Sequence, residues 1–125
     1  MRENDSQNVI YRYDSLSDNL GIKVTRDFEY DETIEMDDGI LIDFDFDSIP
    51  VSLEILDASK RFDLDKECLK NIICLEIDIS VDEKSISVNA TIGVLIDEIE
   101  NKHVFESSTS NYANIPEISA QLALA

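Results

Sequence analysis

Apolar and polar residues alternate along most of the chain, the period of strands with one face turned to a core and one to water. Val9, Tyr11 and Tyr13 share one face, as do Leu20, Ile22 and Val24, with the turn-forming run Asp14-Ser15-Leu16-Ser17-Asp18-Asn19 between them. That pattern predicts a hairpin. Thr33–Met36 reads as a further strand, followed by a turn at Asp37-Asp38-Gly39, where glycine can take positive φ. The next strand sets Ile40, Ile42, Phe44 and Phe46 on one side and Leu41, Asp43, Asp45 and Asp47 on the other. Apolar-in, acidic-out is the signature of an antiparallel sheet with one wet face. Val51–Leu56 is expected as the fifth strand, with Pro50 at its start because proline gives nothing to a ladder.

The period then changes. Asp57–Phe62 is expected as a short helical turn, and Asp63 as the cap of a second helix to about Lys70, with Leu64, Cys68 and Leu69 on its apolar side. Alternation resumes in Ile73, Leu75, Ile77, Ile79 and Val81. It is answered after Asp82-Glu83-Lys84 by Ile86, Val88, Ala90, Ile92 and Val94, which predicts a second hairpin. Gly93 is expected to mark a bulge or kink. His103–Glu106 reads as a last strand. Pro116 is placed to open a short helix through Leu122-Ala123-Leu124-Ala125. The expected class is α+β: a mostly antiparallel sheet built from hairpins, with one or two short helices after the fifth strand. A flexible N-terminus (1–8), one domain (9–108) and a tail (109–125) complete that outline.

Composition changes the picture in one respect. The chain of 125 residues carries 28 acidic and 10 basic side chains, a formal net charge of −18. Direct binding to nucleic acid or to an anionic membrane is disfavoured by such a field, whereas basic proteins are attracted. The regular runs of Ile, Leu, Val and Phe argue against the disorder that high charge alone suggests. Cys68 and Cys74 are too few for a disulfide framework, the N-terminus has no apolar leader stretch, and no run is long enough to span a bilayer. The expected location is the cytoplasm.

The segments Tyr13-Asp14, Asp18, Leu20 and Ile22, then Glu32-Thr33-Ile34-Glu35, then Asp38–Asp45, then Leu53-Glu54-Ile55-Leu56-Asp57-Ala58-Ser59-Lys60-Arg61 resemble the domain of unknown function 2283 family of bacteria and archaea. The resemblance covers roughly residues 9–70, leaving the second hairpin (71–108) and the tail outside. Gly21 stands where the family usually has an aromatic residue, and Ser48-Ile49-Pro50 replaces a glycine-containing turn. The resemblance implies a fold and no catalytic mechanism. Some members look like the small partner in two-gene toxin–antitoxin pairs, which implies an antitoxin-like role.

No catalytic constellation emerges from the residues. Asp43, Asp45, Asp47 and Glu54 match part of a calcium loop, but Ser48 stands where that loop needs glycine and strands flank it; they form the alternative, a divalent-cation site. His103 is the single histidine, and the Cys68–Cys74 spacing is not that of a zinc knuckle. Both cysteines are expected as small buried hydrophobes. Gly21, Gly39 and Gly93 lie too far apart for a phosphate loop. Residues 27–47 hold ten carboxylates and no base. The expected interaction surface is therefore Glu35, Asp37, Asp38, Asp43, Asp45 and Asp47, facing a basic protein partner, with no cofactor. Self-association through open edges of Ile72–Val81 and Ser85–Ile96 is a further alternative.

Overall fold

The computed structural model describes residues 5–36 and 39–124. Nine strands form one sheet: β1 (Asp5–Asp14), β2 (Asn19–Val24), β3 (Tyr30–Met36), β4 (Ile40–Asp45), β5 (Pro50–Ile55), β6 (Ile72–Val81), β7 (Ser85–Ile96), β8 (Ile99–Ser110) and β9 (Ile118–Leu124). Two helical turns, α1 (Ala58–Phe62) and α2 (Lys66–Leu69), lie between β5 and β6. The strand order is β3-β4-β5-β2-β1-β9-β6-β7-β8.

This architecture overturns the α+β class. Strands hold 64% of the described residues, while the helical elements span only five and four residues. The sheet is mixed and curled rather than a set of antiparallel hairpins. The reason lies in the tail. Residues 118–124 form β9, where the sequence pattern predicted a helix. Ile118, Ala120 and Leu122 are buried, with Ser119 exposed between them, and that alternation is a strand period. β9 runs parallel to β1, from Asp5 against Ala120 to Val9 against Leu124, and antiparallel to β6, from Glu76 against Ala123 to Val81 against Ile118. The N-terminal expectation shifts as well, because β1 already begins at Asp5.

The inner face collects one continuous core, with Leu20, Ile42, Phe44, Leu53, Leu75, Ile77, Ile92 and Leu122 almost fully buried. Curling brings the two ends of the strand order together. The Tyr112 hydroxyl, just past β8, accepts a hydrogen bond from the Glu35 N–H (3.1 Å) and donates to the Glu35 carbonyl (3.3 Å) on β3. Between these ends α1 inserts Phe62 edge-on against Phe105 of β8, with ring centroids 5.0 Å apart. The register shift between Ile72 and Cys74 lies opposite Gly93, where a Cβ would come within 2.9 Å of the Cys74 Cβ and 2.8 Å of a Glu100 carboxylate oxygen. The irregularity expected at Gly93 is therefore a bulge on its partner strand.

The long strands β6 and β7 are internal, so the edges assigned to them for self-association do not exist. The open edges belong to β3 and β8.

The tail strand gives a direct test. Leu122 is fully buried at the centre of the sheet. Leu122→Ala should lower unfolding free energy by about 2–5 kcal/mol in urea titrations, a cost that a tail docked only at the surface would not show.

Candidate functional site

The acidic residues divide by what their carboxylates touch. One group anchors turns. Asp14 accepts the N–H groups of Leu16 (3.0 Å) and Ser17 (3.5 Å), and Asp82 those of Lys84 (2.8 Å) and Ser85 (2.7 Å). In both, these backbone bonds hold the carboxyl below its ordinary pKa, because they favour the charged form. Asp45 belongs to this group. It accepts the N–H of Asp47 (2.9 Å) and of Ile49 (3.0 Å), and its other oxygen pairs with Arg26 at 3.1 Å. It is only 5% exposed, whereas Phe46 is 65% exposed. Alternation predicted the reverse. The register slips between Asp43 and Phe44 as the chain enters the 45–49 turn, and the turn flips the facing of both side chains.

Of the expected interaction surface, Glu35 and Asp47 are exposed and Asp43 is half-buried, taking a hydrogen bond from the Thr33 hydroxyl at 2.6 Å. Asp45 is withdrawn. Asp37 and Asp38 lie outside the described residues. Glu54 is half-buried on β5 and accepts from the Asn19 amide at 3.3 Å. The set Asp43, Asp45, Asp47 and Glu54 is not gathered round a point. Among the described residues no three His, Cys, Asp or Glu side chains meet as a metal site.

Sequence reasoning missed a second cluster, at the junction of the β1–β2 turn with α1. Asp18 is 6% exposed and left-handed (φ 59°). Its carboxylate accepts the Tyr13 hydroxyl (2.6 Å), the Ser59 hydroxyl (2.7 Å) and the Ser59 N–H (3.0 Å), while its carbonyl accepts the Ala58 N–H (2.9 Å). Asp57 precedes α1 but makes no side-chain cap, so Asp18 caps the helix from 41 residues away. Burial opposes its charge, yet the bonds from Tyr13 and Ser59, with Lys66 nearby, outweigh burial and hold the carboxyl below its ordinary value. Burial, then the anionic Asp18 beside it, push the Tyr13 hydroxyl well above its ordinary value. The signal was present as Asp18 and Ser59 within the family-like segments, but neither hydrophobic period nor spacing links them.

Open clefts also lie on the surface of the described residues. One of about 450 Å³ is lined by Ser59, Lys60, Asp63, Leu64, Asp65, Cys68, Ile96 and His103. Another, about 540 Å³, crosses the outer face of β6–β8 and is lined by Asp78, Ser80, Ser87, Asn89, Glu106 and Ser108 among others. Cys68 and Cys74 are free and half-buried, less enclosed than expected. No helix of the described residues is long and apolar enough to cross a membrane.

The Asp18 cluster is a structural joint with a pH signature. Asp18→Ala should cost about 1.5–3 kcal/mol, the range for hydrogen bonds to a charged group. Its depressed carboxyl contributes fully above about pH 4 and progressively less as pH falls below that; Asp18→Asn should flatten the acid limb of the stability curve. Tyr13 has the opposite sign. Its raised pKa contributes fully below about pH 10 and is lost as pH climbs beyond it, a loss that Tyr13→Phe should abolish in denaturation curves taken across that range.

Residues 10–59 match the family described as "Protein of unknown function (DUF2283)". The chain is 38% identical over 89 residues to an uncharacterized protein of Methanocaldococcus jannaschii, covering 61% of this chain and 76% of that one. It is 41% identical over 66 residues to a Methanosarcina mazei protein named "Putative hypoxanthine phosphoribosyltransferase", and spans about half (53%) of that relative's length. No solved structure matches. The matched family segment runs from β1 to the start of α1 and holds Tyr13, Asp18 and Ser59 together. On its matched segment and its coverage of the Methanocaldococcus relative, the chain belongs to the DUF2283 family.

Proposed function

We propose that this protein is a non-catalytic binding module that recruits a basic protein partner to its acidic outer face. The observation that carries the reading is the shortage of internal compensation. The ion pairs between described residues are Arg26–Asp45 and Lys70–Glu67, and neither involves Glu35, Asp43, Asp47 or Glu54. These four remain wholly or partly open to solvent on β3–β5 and the adjoining turn. Uncompensated carboxylates on a hydrogen-bonded sheet offer a cationic partner a set of acceptors, and the long-range field speeds encounter. An antitoxin-like pairing with a basic protein is one form of this role.

The name of the Methanosarcina relative refers to phosphoribosyl transfer. For this chain that chemistry finds little support, since a net charge of −18 repels phosphorylated substrates and the three glycines are dispersed.

The reading is tested by fluorescence anisotropy with lysine- and arginine-rich peptides and an acidic control. Binding to the basic peptides should weaken about tenfold or more between low and physiological salt. The triple variant Glu35→Gln, Asp43→Asn, Glu54→Gln should bind several-fold more weakly while melting cooperatively. Equal affinity for basic and acidic peptides, or none for either at low salt, would refute the proposal.

A further inference from the structure

We infer that β8 is a self-complementary edge through which two copies of this chain pair, extending the sheet across a two-fold axis at Val104. β8 is the last strand of the sheet and spans twelve residues, against seven for the other edge strand, β3. β3 is moreover engaged at Glu35 by Tyr112 of its own chain.

The hairpin that leads into β8 fixes which of its backbone groups are free. Asp97 and Glu98 both have positive φ (52° and 65°), and Ile96 faces Ile99 across them. This is a two-residue turn whose flanking pair is hydrogen-bonded. Odd-numbered residues of β8 therefore bond to β7, and the N–H and C=O groups of Glu100, Lys102, Val104, Glu106 and Ser108 point to the open edge. A two-fold antiparallel partner must set even residues against even ones.

Charge then selects among the registers. Centring on Val104 places Lys102 opposite Glu106 of the second copy, twice by symmetry, with Glu100 opposite Ser108. Centring on His103 would set Glu100 against Glu106, and centring on Lys102 would set lysine against lysine. Opposed unlike charges stabilise a strand pair and like charges destabilise it. Among the described residues neither Lys102 nor Glu106 has an ion-pair partner in its own chain. Val104, 58% exposed, would be stacked on its own copy. Exposed apolar side chains gather on the same arm: Leu95, Ile96, Ile99, Val104 and Tyr112 are five of the ten exposed large hydrophobics among described residues. An isologous contact of this kind closes as a dimer.

Light scattering from about 10 to 500 µM should show a concentration-dependent dimer. It should strengthen as salt rises, because the long-range repulsion between two copies of charge −18 is screened. Binding of a basic peptide moves the other way. Lys102→Glu and Glu106→Lys should each weaken pairing roughly tenfold, although they shift net charge in opposite directions, and the double swap should restore it. Val104→Pro removes an edge N–H without touching the β7 ladder; it should yield a monomer with an unchanged circular dichroism spectrum, and if it unfolds, the charge swap decides alone. A monomer at the highest concentration in every salt overturns the inference and leaves the edge to a strand from another protein. So does a dimer indifferent to the charge swap.

Discussion

The two halves of this protein hold together through the strand between them. β9 lies between β1, the last strand of the family-like half, and β6, the first of the added hairpin. It satisfies the backbone of both and buries Leu122 in the common core. Its pairing with β1 is parallel and its pairing with β6 antiparallel, so it alone makes the sheet mixed. Without that insertion, β3-β4-β5-β2-β1 and β6-β7-β8 would be separate sheets, each with an unpaired edge and half a core. The curl of the sheet, the seating of α1 against β8 and the reach of Tyr112 to Glu35 follow from the halves being joined there.

A second constraint explains part of the acidity. The chain has three glycines, so most tight turns must be made by other residues. Asp18, Asp57, Asp63 and Asp97 occupy left-handed positions, which aspartate tolerates better than most side chains. Asp14, Asp45 and Asp82 use their carboxylates to satisfy turn amides. Part of the negative charge is thus a by-product of turn chemistry. What is left over on open strand faces, as at Glu35, is the portion available to a partner.

The limits of legibility follow from the range of the interactions. The β6–β7 faces could be read from residues two apart, and Gly39 does adopt positive φ (80°) at its turn. Local signals failed where a distant contact decided the outcome. Residues 118–124 carry an alanine- and leucine-rich pattern that serves a helix as readily as a strand; pairing with β1 and β6 chooses the strand. Alternation placed Asp45 outside because it cannot register the turn that follows. Asp18 looked like an ordinary turn residue because Tyr13 is near in sequence but Ser59 is not. The acidic run was visible at once, while its division into anchors and open charges required the hydrogen bonds.

The β1–β9 pairing also has a kinetic cost. Val9 meets Leu124, so the central ladder forms only after most of the chain has been brought round to close on itself. Non-local closures of this kind slow folding. During that interval β1 and β6 each offer a bare ladder to any neighbouring strand, the situation in which nascent chains stick to one another. A surface this strongly anionic opposes such contacts, because half-built molecules of like charge repel one another while the ladder is still open.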